Sequence, residues 1–169
     1  MVSLAFTIMK LKTVRWIAGI LLLCFLIILS KFILFKNFNG RYGEVFKTSI
    51  TKKVIRDGIR SANFKPFSTI QLFSKSRRLR TEYKIDNLGG NVIGFIPIGF
   101  LLSIIISSRS RNVLVVLGTF GVSLFFEIVQ LLTGWGVFDV DDLILNTFGG
   151  LLGLLIFSAF KSIAPDLEK

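Results

Sequence analysis

Four apolar runs, each about twenty residues long, make up about half of this 169-residue chain, and runs of that length and apolarity are the signature of membrane-spanning helices. The first extends from Trp16 to Phe35, interrupted by Lys31. The second covers Leu88 to Ser107, the third Asn112 to Leu132, and the fourth opens at Asp139 and reaches about Phe160. The chain is 52% hydrophobic with a mean hydropathy of +0.70, more apolar surface than a soluble domain this short can bury. The fold class expected is an all-α membrane protein of four transmembrane helices, with a basic loop of about 50 residues between the first and second.

Lys10, Lys12 and Arg15 precede the first run in the manner of a signal peptide. The apolar stretch is too long and no small-residue cleavage site follows, so an uncleaved anchor is expected. The chain then divides into a basic segment with anchor helix over 1–36, a membrane domain over 37–161 and a tail over 162–169. Residues Lys36 to Asp86 carry 13 Lys/Arg against four acids. Lys75, Arg77, Arg78 and Arg80 form its densest cluster, and such charge suits phosphate-bearing lipid or an anionic wall polymer. Nucleic acid is not expected, since no recognition motif accompanies the charge. Within the loop, Phe46 to Ile59 mixes basic and apolar residues as an interfacial amphipathic helix does. Asn63-Phe64-Lys65-Pro66-Phe67 reads as a non-helical turn, because Pro66 disfavours helix at Lys65.

The single cysteine, Cys24, rules out an intrachain disulfide, and the absence of histidine rules out Cys/His zinc sites and Ser–His catalysis within one chain. Oxygen-ligand metals stay open on that count, but no cofactor is expected.

Polar residues at the ends of these runs attract attention because an ionisable group in a spanning helix is costly without a partner or water. Ser123, Glu127 and Gln130 are spaced four and three apart, on one face of the third helix. Asp139, Asp142 and Asn146 form a matching stripe on the fourth, while Asp141 points away from it and reads as a plain interfacial charge. Antiparallel neighbours bring these ends together. Glu127 lies about 9 Å in from Thr133, Asn146 about 10 Å beyond Asp139, and Asn91 about 5 Å into the second helix. Asn91, Glu127, Gln130, Asp142 and Asn146 are therefore expected to form one polar pocket open to one leaflet. The competing account is structural. Interhelical hydrogen bonds are common glue, and Asp139 as an N-cap with Asp142 three residues on resembles a capping box, with Phe138 and Leu143 at staple spacing. The glycines of the second run, Gly89, Gly90, Gly94 and Gly99, read as packing positions, and Pro97 as a kink or a freed carbonyl.

Short basic flanks at Lys10 to Arg15, at Arg109 and Arg111, and at Lys161 favour one side of the membrane, which the positive-inside rule makes cytoplasmic. The long basic loop argues the reverse. The flanks carry more weight here, placing both termini inside and the pocket outside.

With these residues laid out, the chain resembles the VanZ-like family. The likeness rests on Asn63 to Phe67, on Asn91 with Phe95, Pro97 and Gly99, on Ser123 with Glu127 and Gln130, and on Asp139, Asp142, Asn146 and Gly149. Many relatives carry an Arg just before the aspartates, where this chain has Gly134-Trp135-Gly136-Val137. The resemblance implies a bacterial cell-envelope membrane protein from a family named for low-level resistance to the glycopeptide antibiotic teicoplanin, with no reaction established. Three functions follow in order. The first is binding of a membrane lipid, lipid-linked envelope precursor or glycolipid, with the basic loop holding phosphate. The second is a membrane-embedded enzyme in which Glu127 and Asp142 share a proton, or Asp139 and Asp142 hold Mg²⁺. The third is a small transporter, which with four spans would require a homo-oligomer.

Overall fold

A backbone inside lipid has no water to bond to, so each apolar run must satisfy its own amides, and the helix does this within one segment. The computed structural model describes residues 2–34, 50–76 and 80–163. Six helices occur among them: α1 (Val2–Leu34), α2 (Lys52–Ser61), α3 (Ser68–Lys75), α4 (Thr81–Ile105), α5 (Arg111–Thr133) and α6 (Val140–Ile163). Four of these, α1, α4, α5 and α6, are long and apolar enough to cross a membrane, as the hydropathy pattern anticipates. Large apolar side chains stand exposed along all four, among them Trp16, Ile93, Phe125 and Leu155, which is the surface a lipid environment covers.

Helix ends differ from the apolar boundaries in an instructive way. α1 and α4 both start well before their apolar runs; in α4 the mostly polar residues Thr81 to Asn87 continue the helix past the hydrocarbon region. α4 also passes through Pro97 as one helix. The α5 helix stops at Gly134, whose φ of +68° and N–H to the Gln130 carbonyl (2.9 Å) form a left-handed cap that glycine adopts without a Cβ penalty. Trp135, just past this cap, packs partly buried against the inner cluster of Leu29, Leu34, Phe95, Ile98 and Phe126.

The tightest seam joins α4 to α6. A Cβ at Gly149 would overlap the Val92 carbonyl oxygen, one at Gly153 the Ile96 carbonyl oxygen, and one at Gly99 the Gly150 carbonyl oxygen. Small residues four apart on α6 thus let the two backbones touch, the usual route to helix association in lipid. Gly94 has a looser role, with the Leu29 side chain of α1 3.2 Å from where its Cβ would sit, and Gly90 faces open space.

The loop between the first two spans contributes two short helices. Residues 46–49 of the anticipated amphipathic stretch lie outside the described residues. From Thr51, whose Oγ1 accepts the Val54 N–H (3.2 Å), the chain enters α2. That helix rests Gly58 on the Leu131 carbonyl at the end of α5. The turn at 63–67 is non-helical, and there the chain pairs briefly with the start of α6. The Asn63 N–H donates to the Phe138 carbonyl (2.8 Å), and the Val140 N–H returns to the Asn63 carbonyl (3.0 Å). Phe64 and Phe138 pack ring to ring at 5.2 Å.

Candidate functional site

The α5–α6 turn is where the polar residues converge, and it is organised around Asp139. As the residue before α6, Asp139 accepts the Asp141 N–H on Oδ1 (2.8 Å), an N-cap bond to the second helical residue. The same oxygen accepts Asn63 Nδ2 (2.7 Å), while Oδ2 accepts Thr69 Oγ1 (2.5 Å). The capping box expected with Asp142 does not form. The backbone N–H of Asp139 goes to Glu127 Oε2 on α5 (2.8 Å), and the Asp142 carboxylate turns to α4, where Asn91 Nδ2 donates to Oδ1 (2.5 Å). The Asp139 amide is thus satisfied from α5, and Asp142 instead ties α6 to α4.

Asp141 corrects the sequence reading most sharply. It is fully buried, where a plain interfacial charge had been expected. Its oxygens accept the N–H groups of Phe67, Thr69 (2.7 Å) and Ile70 (3.1 Å). Those are the free amides at the start of α3, whose own cap residue, Phe67, lies in the left-handed region (φ 64°) and supplies no side-chain bond. Asp141 therefore caps α3 from across the fold, and the charge is favourable there because helix N-termini attract anions. Helical spacing alone directs Asp141 away from the Asp139 stripe, as expected, but what lies on that other side is α3 rather than solvent.

Asn63 and Thr69 complete this arrangement. Asn63 Oδ1 accepts Ser68 Oγ (2.8 Å) and the Lys65 N–H (3.1 Å). No helical period points to either residue. The one available signal is the Asn63 to Phe67 motif itself. The donors found on Asp139 and Asp141 are neutral amides and a hydroxyl.

The residues anticipated as one pocket lie in two layers. Behind, Ser123, Glu127 and Asn146 are buried, with Asn146 Nδ2 donating to Ser123 Oγ (2.8 Å). In front, Asn91, Gln130, Asp139 and Asp142 line a cavity of about 1000 Å³. Gln130 Nε2 donates to the Ile33 carbonyl of α1 (3.2 Å). Facing the polar residues is an apolar wall from α1, made by Phe25, Ile28, Leu29 and Phe32, with Phe73 of α3 and Ile93 of α4. Among the described residues of the basic loop, Lys and Arg are absent from this lining. Lys75 and Lys65 border a separate groove of about 540 Å³ on α3, Arg80 pairs with Glu82 (2.5 Å), and Arg77 and Arg78 lie outside the described residues.

Sequence comparison agrees with these motifs. Residues 7–161 match the VanZ/LLP1 family model, taking in the first span as well as the motif-bearing region. The chain is 36% identical over 103 residues to "Protein VanZ" of Enterococcus faecium, covering 58% of this chain and 53% of that protein. It thus spans about half the length of the curated relative it matches. No solved structure matches. On this match over nearly its whole length, the chain belongs to the VanZ/LLP1 family.

Proposed function

We propose that this membrane protein binds a lipid-linked or glycolipid ligand of the cell envelope in the cavity between α1 and α4. The observation that carries the reading is the two-sided lining. Aliphatic and phenyl groups of α1 and carboxylates and amides of α4 and α6 line one space, a match for a molecule with a hydrocarbon chain and a hydrogen-bonding head. Binding is favoured over a reaction run by Glu127 and Asp142. Glu127 lies in the rear layer with one carboxylate oxygen on a backbone amide, whereas Asp142 lines the cavity.

Short basic flanks put both termini in the cytoplasm and the cavity toward the outer leaflet. Arg111 supports the pairing of those flanks, since its guanidinium lies 5.2 Å from the Phe157 ring near the end of α6, opposite the aspartates. An outward cavity fits the family's association with teicoplanin resistance, because that antibiotic acts outside the cell.

Gly90 offers a direct test. It lines the cavity, and a Cβ there meets nothing within 4 Å, so Gly90→Trp adds a large side chain to the lining from an uncrowded position. Native mass spectrometry of detergent-purified protein is expected to show a co-purified amphiphile on wild type and none on the folded variant. Equal retention by both would exclude this cavity as the binding site.

A further inference from the structure

The segment carrying α2 and α3 caps the polar end of the bundle, and its outward face takes no part in the cavity. Residues 51–76 contain six Lys/Arg, at Lys52, Lys53, Arg56, Arg60, Lys65 and Lys75, against one acid, Asp57. All six cations are exposed. On α2 the four cations fall within an arc of about 100°, on the side away from Gly58, which is buried against the Leu131 carbonyl. The pattern repeats on α3. Phe73 is buried, while Gln71, Leu72 and Lys75 are exposed on the other side of the helix.

Depth and apolar exposure indicate what this face meets. Phe73 lines the cavity together with Leu29 and Ile93, both of which belong to membrane spans. A helix that shares a cavity with them lies at the level where the spans leave the hydrocarbon. Interleaved with the cations, Ile59, Phe64, Phe67 and Leu72 are each more than half exposed. Basic residues mixed with large apolar ones at that depth make an interfacial surface. On α3 this face also holds the groove of about 540 Å³, bordered by Lys65 and Lys75, with Ser68, Gln71 and Leu72 between them and no Asp or Glu among the described lining residues. Neither lysine has an ion-pair partner among the described residues.

We infer that the outward face of α2 and α3 docks on anionic phospholipid, with a headgroup phosphate seated in the groove between Lys65 and Lys75 and Leu72 against the apolar part of the same lipid. Lysine serves as a point charge for phosphate, and basic residues near a lipid surface are drawn to net negative headgroups. An acidic protein or a wall polymer would match the cations but leave Phe64, Phe67 and Leu72 in water. This surface is independent of the ligand proposed for the cavity.

The test is native mass spectrometry of the detergent-purified full chain with equal amounts of dioleoyl phosphatidylglycerol and dioleoyl phosphatidylcholine, which share chains and phosphate and differ in net charge. Phosphatidylglycerol is expected to be retained in preference. Lys65→Gln with Lys75→Gln is expected to lower its retention about 25-fold, at about fivefold for each cation near a lipid surface. Lys65→Arg with Lys75→Arg should keep it. Lys12→Gln with Arg109→Gln removes the same charge from exposed positions outside this segment and should leave the preference unchanged. Equal retention of the two lipids by wild type, or equal losses in the two charge-removing pairs, overturns the lipid surface. So does a preference abolished by Gly90→Trp, which would place the lipid in the cavity, or one abolished by millimolar glycerol phosphate, which would make the groove a site for a free anion. None of these results touches the cavity ligand, whose own test is the loss of its amphiphile in Gly90→Trp.

Discussion

Glu127 holds the backbone of Asp139: its Oε2 lies 2.8 Å from the Asp139 nitrogen, tying the end of α5 to the start of α6 through one buried carboxylate. The bond accounts for an ionisable side chain that is 2% exposed within a membrane-spanning helix, and it fixes the residue around which the rest of the polar network is arranged.

Replacing that acceptor is expected to cost stability. Glu127→Ala leaves the Asp139 amide buried without its partner, a loss of about 1–3 kcal/mol. Glu127→Gln keeps an oxygen in place and should lose less. Thermal unfolding of the two variants in one detergent decides the matter, and equal losses would mean that the amide bond is not what Glu127 contributes.

Asp141→Ala should release α3. Three N–H groups lose their acceptor together, and a single cap is already worth about 1 kcal/mol. The expected readout is faster hydrogen exchange at Phe67, Thr69 and Ile70, with the amides of α5 unchanged. Protection that survives the substitution would show α3 to be held by its packing alone.

The α4–α6 seam predicts opposite outcomes for two glycines. Gly153→Val drives a side chain into the Ile96 carbonyl and should destabilise by about 1–3 kcal/mol or more. Gly121 on α5 has nothing within 4 Å of its Cβ position, so Gly121→Ala should stay within about 0.5 kcal/mol of wild type. Detergent melting curves of the pair test whether close backbone approach, rather than glycine itself, is what the seam requires.

Orientation has its own experiment. In a Cys24→Ser background, a cysteine at Val137 is expected to react with a membrane-impermeant thiol reagent on intact cells, and one at Arg109 only after lysis. Both positions are exposed. The reverse pattern would place the cavity toward the cytoplasm.

Much of this architecture is legible along the chain because it depends on local chemistry. Apolar length marks the runs at 88–107, 112–132 and 139–160, which the helices Lys84–Ile105, Arg111–Thr133 and Val140–Ile163 contain nearly whole, and a period of 3.6 residues puts Ser123, Glu127 and Gln130 on one face and Asp139, Asp142 and Asn146 on another. Both stripes turn inward, as hydrogen bonds to Asn91 and Ser123 attest. The role of Asp141 is not legible this way, because the same periodicity says only that it points elsewhere. Its partners, Thr69 and Ile70, are more than 70 residues away on a helix of eight residues, too short and too mixed to announce its position.

By itself, then, the sequence determined the four spanning helices, the end of the bundle where the polar groups gather and the faces they occupy, since each follows from transfer free energy and helix geometry within one segment. Only the tertiary structure decided which carboxylate meets which donor, that the polar residues form two layers, and that α1 closes an apolar wall opposite the front one. Those outcomes depend on how near α4 and α6 can approach at Gly149 and Gly153 and on where the 63–69 segment docks, and both are set by shape across the fold.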